Sequence, residues 1–457
     1  MTLSESIADF ALSLRYQDLP ADVSHLARLH TLDALGVGTA ASAGAVQRRM
    51  RDSILRSNAQ AGGCTVLGAP DRANGASAAL LNGSFIHALE YDDTHMASIV
   101  HGSAVLVPAA LSAAEQNGLT LGELVRLITI GWEVLVRVGL AAPGAFQRRG
   151  FQVTSVGGAL VSALMAGVAD GATREELVWA QGIAGSQASG IFEFLSEGAT
   201  VKALHPGWAA HAGLIAAQLA VAGLTGPSTV YEGRFGLYKT YTDDQNAGDN
   251  LRLELASLGQ RWTLREAAFK LFPCCHYIHP FLEGVQQIAP PPGSLQDIVS
   301  IECQVPQGAA AIICEPWQRK QTPAILNEAK YSLPYCMALA FLGIPITAEH
   351  FLAAQVNAEA VAFAQKISWT PMINADFPRK FEAEICIVLR SGEKITTRID
   401  QVKGSADRPA SIDEIKEKFI TNTRARYAPD VQQGLIGLLL DGAADTPVAE
   451  LGALLRG

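Results

Sequence analysis

Over most of the first 270 positions apolar residues recur at helical rather than alternating spacing. LGELVRLITIGWEVLVRVGLA, WAAHAGLIAAQLAVAGL and SHLARLHTLDALGVG are examples, and this is the pattern of helices that bury one face. Helix starts are marked as well. Thr2 with Glu5, Thr120 with Glu123 and Thr173 with Glu176 each set a hydroxyl residue three positions before a glutamate, a pairing that satisfies the open amides of a first turn. Alanine and glycine are frequent inside the runs and let helices approach closely. Residues 1–270 are therefore expected to form one large helical domain.

After Phe272 the pattern changes. PPPGS at 290–294 reads as a turn cluster, DIVSIECQVP alternates in part, and FEAEICIVLRSGEKITTRID holds two alternating runs around SGEK, a predicted hairpin. Helices are expected between these, in TPAILNEAKYSLPYCMALAFLG and after Thr347. Residues 271–402 thus read as a smaller α+β domain. Ser411 with Glu414 opens another helix, so residues 403–457 are expected to rejoin the first domain. The predicted fold class is mainly α: a large all-helical domain, discontinuous in sequence, with an inserted smaller α+β domain.

Composition then removes several functions. A formal charge of -9 and no basic stripe argue against a nucleic-acid partner. Only 17% of residues are charged, so much of the surface needs another cover, and a homo-oligomer is expected. The N-terminus lacks an export signal, and the apolar stretch 156–168 is too short to span a bilayer, so a cytoplasmic location with no membrane partner is expected. Seven cysteines without CxxC spacing read as reduced thiols, with Cys274 and Cys275 as packed neighbours rather than a disulfide. There is no GxGxxG, GxxxxGK[ST] or GxSxG, and no cofactor is expected.

Candidate chemistry gathers in four stretches. IHALEYDDTHMASIVHGSAVLVP packs Glu90, Asp92, Asp93, Thr94, His95 and His101 between apolar runs. A helix predicted over 76–90 puts YDDTH at its exit and His101 just before the next helix, where backbone amides suit an anion. The plainer alternative is that Asp92, Asp93 and Thr94 cap helices while the histidines sit at the surface. A metal site on Asp92, Asp93, His95 and His101 is a further alternative, but the six-residue histidine spacing does not match HExxH, and no metal is expected. In SEGATVKALHPGWAAHAG, Lys202 and His205 sit at a loop-to-helix junction among small residues. That favours a cationic anchor for carboxylates over an ordinary solvated lysine. KLFPCCHYIHPFLEG places His276 and His279 at the predicted domain boundary, where ligand sites concentrate, although a structural pair is equally open. AKYSLPYCMALAF puts Tyr331 and Tyr335 four apart, on one predicted helical face; two core tyrosines are the alternative.

In order and spacing HALEYDDTH, HGSAVLVPAAL, GFQVTSVGGAL, VKALHPGWAAHAG and FPCCHYIH resemble the MmgE/PrpD family along nearly the whole chain. The resemblance implies a discontinuous helical domain with an α+β insertion, an active site between them, a homodimer, and cofactor-independent chemistry on small di- or tricarboxylates. Dehydration of 2-methylcitrate, decarboxylation of cis-aconitate and epimerisation of iminodisuccinate are among the family's reactions. By position in the motifs, Glu90 falls on an acidic site residue, commonly aspartate in the decarboxylases, and Thr94 on the threonine of the DDT segment. His101 matches the histidine before the second helix, Lys202 the lysine of KxLH, and Tyr335 a tyrosine lining the pocket. The resemblance does not separate His276 from His279. Gln152 stands where the decarboxylases carry histidine, which substitutes a neutral amide for an imidazole.

The implied common step removes a proton beside a carboxylate, and the enediolate that forms needs nearby positive charge or strong donors. Lys202 and a protonated histidine suit that need. His101 is the first candidate base, with Tyr335 or Lys202 second, and Asp93 with its acidic neighbours keeps these groups charged and oriented. Glu90, Thr94, Gln152, His205, His276 and His279 are expected to bind the substrate. A 2-methylcitrate-dehydratase-like hydro-lyase is the leading expectation. The alternatives are an imino- or amino-dicarboxylate epimerase, a cis-aconitate-type decarboxylase and a metal-dependent hydrolase.

Overall fold

A computed structural model describes residues 1–57, 62–288 and 295–457. The turn expected at 290–294 lies outside the described residues. The chain is mainly helical, as its periodicity predicts, and forms two compact units. One comprises Met1–Ala88, Asp92–Ala267 and Ser411–Gly457; the other comprises Leu89–Tyr91 and Ala268–Ala410. Helix starts follow the sequence signals. Thr2, Thr173 and Ser411 form reciprocal capping boxes with Glu5, Glu176 and Glu414, and Thr120 accepts the Glu123 amide at 3.4 Å.

The larger unit is built on helices that touch through glycine. Helix Val153–Ala169 is buried from Val153 to Gly167, and helix Leu204–Val221 packs against both it and helix Gly75–His87. A Cβ on Gly207 would lie 2.2 Å from the Leu80 carbonyl oxygen, and one on Gly83 would lie 2.7 Å from the Gly207 Cα. Backbone therefore meets backbone at this crossing, which only residues without a side chain allow. The crossing fixes the neighbouring turns, among them the one carrying His87 and the one carrying His205. Helix Ile412–Thr423, the first of three in the C-terminal segment, packs on helix Ala21–Ser42, where Lys418 Nζ reaches Asp33 Oδ1 at 2.7 Å with both side chains buried.

The smaller unit holds a four-stranded sheet in the order Ile367–Met372, Ile298–Pro306, Ala383–Leu389, Lys394–Ile399. The first pair is parallel and the others antiparallel, so the predicted hairpin is the last pair. Strict alternation along Ala383–Leu389 turns one face inward, where helix His279–Ile288 packs on it. Two sequence expectations are corrected here. The helix expected over 76–90 ends at His87. The run TPAILNEAKYSLPYCMALAFLG breaks into Leu326–Ala329 and Leu333–Phe341, because Ser332 caps the second helix and Pro334 can occupy only its first turn. Tyr331 thus lies outside the helix that carries Tyr335. The seven cysteines are free thiols, and burial pushes those of Cys64 and Cys314 up to about 12. No helix among the described residues is long and apolar enough to cross a membrane.

Substituting Gly207→Ala should cost about 1–3 kcal/mol, because the added methyl meets carbonyl oxygen rather than a movable side chain. Urea unfolding measures it, and an unchanged midpoint would contradict the close crossing.

Candidate functional site

Helix Gly75–His87 stops because the chain turns sharply at Glu90, whose φ of 53° lies in the left-handed region. A side-chain-bearing residue adopts this at a cost of about 1–2 kcal/mol, so surrounding contacts must hold it. Beyond the turn Asp92 Oδ2 lies 2.8 Å from Nδ1 of His87, both fully buried. The chain then loops back through reciprocal backbone hydrogen bonds between His95 and Val100, which delivers His101 to the start of helix Gly102–Gln116. The His101 amide donates to Thr154 Oγ1 at 2.9 Å. Its Nδ1 is 2.9 Å from the Asp93 carbonyl oxygen, 3.2 Å from Thr94 Oγ1 and 3.7 Å from Asp92 Oδ2. A carbonyl only accepts, so Nδ1 carries hydrogen, and Nε2 is the basic nitrogen of the neutral ring. The His101 side chain is 12% exposed while that of His87 is 0% exposed, which makes His101 the ring open to a ligand.

Gln152 extends the cluster from the start of helix Val153–Ala169. Its Nε2 lies 3.1 Å from Nε2 of His87, and its Oε1 lies 2.7 Å from Nδ1 of His205. Two further bonds fix the neighbourhood: Ser155 Oγ donates to the His205 carbonyl and the Gln152 amide donates to the Gly190 carbonyl, each at 2.9 Å. Gly190 has φ of 119°, and a Cβ there would lie 2.8 Å from that of Ser155, so this position excludes a side chain. Burial pushes His205 down to about 4, and its neighbours His87 and Lys202 add to the shift. Lys202 sits on the turn Thr200–Ala203 that leads into the His205 helix, within electrostatic reach of that imidazole.

Behind this layer Asp93 Oδ2 is 2.7 Å from His30 Nδ1, and Asp93 Oδ1 accepts the Ser103 amide at 3.0 Å. The carboxylate of Asp93 thus anchors the start of the following helix, and it is the backbone carbonyl of Asp93 that faces His101. Asp33, one turn from His30, is pushed up by burial, and its partner Lys418 is pushed down by the same cause. His95 points elsewhere, with Nδ1 2.8 Å from Ser98 Oγ and Nε2 3.4 Å from Glu266. The four residues considered from sequence do not come together as one set of metal ligands among the described residues. Among the described residues, one group brings ligand atoms within 4.8 Å of one another: His87, Asp92 and His101. A cation there would have to displace the proton between His87 and Asp92.

Asp93, Thr94, His101, Gln152, Lys202 and His205 all belong to the larger unit, whereas Glu90, His276, His279 and Tyr335 belong to the smaller one. In the latter, Glu90 accepts Lys270 Nζ through its carbonyl oxygen at 3.0 Å, and its carboxylate is 3.7 Å from the same ammonium. The rings of His276 and His279 lie 4.7 Å apart, packed against Phe381 and Phe272 respectively. The Tyr335 hydroxyl accepts the Asn357 amide at 3.0 Å and lies 3.0 Å from His350 Nε2, while burial pushes it up. Sequence reasoning missed His30, His87 and Lys270 as members of these clusters, and read Asp92 as a cap, a metal ligand or one of the acids that orient the imidazoles, without naming His87 as its partner. His87 and Asp92 lie in one motif, five residues apart across a helix end; no local pattern points to His30, 63 positions before Asp93.

The depressed His205 carries a stability consequence. Below its unfolded value of 6.5 the unfolded chain binds a proton that the folded chain refuses until about 4. Stability from this group is therefore fully present above 6.5 and lost as pH falls toward 4, by on the order of 3 kcal/mol. His205→Asn should flatten the stability profile between these values; an unaltered slope in unfolding measured from pH 7 to 4.5 would contradict it.

Comparison with known proteins agrees with this arrangement of motifs. Residues 5–249 match the MmgE/PrpD N-terminal domain and residues 272–439 the MmgE/PrpD C-terminal domain. Over 472 residues the chain is 26% identical to a cis-aconitate decarboxylase-like protein, oryM, of Aspergillus oryzae, covering 100% of this chain and 97% of that relative. It is 28% identical to the cis-aconitate decarboxylase of Mus musculus, covering 95% and 89% of the two chains, and 27% identical to that of Homo sapiens, covering 100% and 95%. The chain belongs to the MmgE/PrpD family.

Proposed function

We propose that this protein is a cofactor-independent lyase that removes a proton from the carbon beside a carboxylate of a small hydroxy di- or tricarboxylate, a hydro-lyase of the 2-methylcitrate dehydratase type. The observation that carries this reading is the bond from His101 Nδ1 to the Asp93 carbonyl, which leaves Nε2 as the proton acceptor on the ring most open to a ligand. As the C–H bond breaks, the proton passes to Nε2 and the electron pair spreads into the carboxylate. Lys202 is the cation assigned to that developing charge. Asp92, 3.7 Å from Nδ1, favours the imidazolium that results. That imidazolium then protonates the departing hydroxyl, so one water leaves and His101 returns to neutral. The low charged fraction supports a homo-oligomer, for which the family resemblance suggests a dimer, and a cytoplasmic location fits reduced thiols.

A second reading is favoured by the full-length relatives: decarboxylation of a cis-aconitate-like substrate. Here a carbon–carbon bond breaks, carbon dioxide leaves, and protonated His101 delivers the proton to carbon. Gln152, in place of the histidine that the resemblance leads one to expect, weighs against it.

Incubation with 2-methylcitrate, citrate and cis-aconitate in deuterated water should show solvent exchange and loss of water with the first. Carbon dioxide release would select the second reading, and no exchange with any polycarboxylate would contradict both. His101→Asn should lower turnover about 100- to 10,000-fold, the range for a lost general base. Lys202→Ala should abolish turnover with the fold intact; near-normal rates would remove the lysine from the mechanism. Exhaustive chelation should leave activity unchanged, whereas its loss would point to a cation on His87, Asp92 and His101.

A further inference from the structure

The Gln152 amide lies between two imidazoles, and its two ends are chemically different. The amide nitrogen can only donate, and it is 3.1 Å from His87 Nε2; the amide oxygen can only accept, and it is 2.7 Å from His205 Nδ1. His87 Nδ1 in turn faces the Asp92 carboxylate at 2.8 Å, and a carboxylate accepts. The directions agree along the whole chain: Nδ1–H of His87 to Asp92, Nε2 of His87 receiving the amide N–H, and Nδ1–H of His205 donated to the amide oxygen. With the amide reversed, its nitrogen would face the Nδ1–H of His205 and its oxygen the lone pair of His87, breaking both bonds. The charged or titratable groups around it are Asp92, His87 and His101 on one side and His205 with Lys202 on the other.

We propose that Gln152 is a positioning residue whose oriented amide fixes the Nδ1–H tautomer of both His87 and His205, and so makes His205 Nε2 a second proton-accepting nitrogen beside the one on His101. The burial that depresses His205 keeps it neutral at pH 7, as this tautomer requires. A neutral histidine in place of Gln152 would also offer one donor and one acceptor, but it could itself take a proton, which the amide does not. The amide thus transmits orientation from Asp92 to His205 while carrying no charge of its own. The catalytic consequence for His205 rests on the proton-transfer reading above, but the tautomer assignment does not.

Long-range nitrogen-15 spectra of the full-length protein labelled at histidine, assigned with His87→Asn and His205→Asn variants, test the assignment directly. At pH 7 both rings should show hydrogen at Nδ1 and a lone pair at Nε2. Gln152→Glu presents only acceptors, so His87 should gain a proton at Nε2 and appear as imidazolium near neutrality. Gln152→Leu, which keeps the volume, should release His205 into a mixture of tautomers. An Nε2–H ring or an imidazolium in the unmodified protein would overturn the proposal, as would unchanged spectra in both variants. If a polycarboxylate turns over, Gln152→Glu should move the acid limb of the kcat profile to higher pH by about one unit or more, and an unmoved limb would overturn the catalytic consequence. Spectra that behave as expected without turnover would count against the lyase reading alone.

Discussion

A neutral imidazole donates from one nitrogen and accepts at the other, and a buried one must have both roles matched or lose stability. The larger unit of this protein is organised around that constraint. Asp92, His87, Gln152 and His205 form a buried chain in which each donor meets an acceptor, and the Asp93 carbonyl assigns the same Nδ1–H form to His101. Such chains strengthen when every member is satisfied and become costly when one is not. The direction of the proton on each ring is therefore a property of the fold.

The fold supplies that direction through close helix contact. Side chains separated by tens of positions in sequence must meet to within a few tenths of an ångström, and flexible packing would not hold them. Gly83 and Gly207 bring two helix backbones together, with His87 and His205 on adjacent turns. Gly190 leaves room for Ser155, which holds the His205 carbonyl. Asp93 binds both His30 and the Ser103 amide, tying the loop before His101 to two helices. Stability and site geometry consequently draw on the same contacts.

Much of this was legible in sequence. Helical periodicity, the Thr–Glu and Ser–Glu starts, and the alternating runs at 383–399 identified the fold class, since each records a local rule that tertiary contacts did not override. The site was legible in part. His101, Thr94 and Gln152 stand in compact motifs, and their meeting follows from the helix ends that carry them. His30 escaped notice because a histidine inside an apolar helix gives no sign of the aspartate it will face. Asp93 was read as one of the acids that hold the site's imidazoles and lysine charged and oriented; its carboxylate meets the His30 imidazole and the Ser103 amide, and its carbonyl oxygen faces His101. The break between Ala329 and Leu333 was signalled by Ser332 and Pro334, and the apolar run around them obscured it.

The most direct measurement is a crystal structure of the protein with a non-reacting tricarboxylate such as tricarballylate. Proton transfer by His101 predicts a ligand carbon adjacent to a carboxylate within about 3.5 Å of Nε2, the separation of a reacting pair, with Lys202 on the same carboxylate. A ligand held away from His101, or one whose carboxylate takes Nε2 as a fixed hydrogen-bond partner with no carbon in reach, would contradict it.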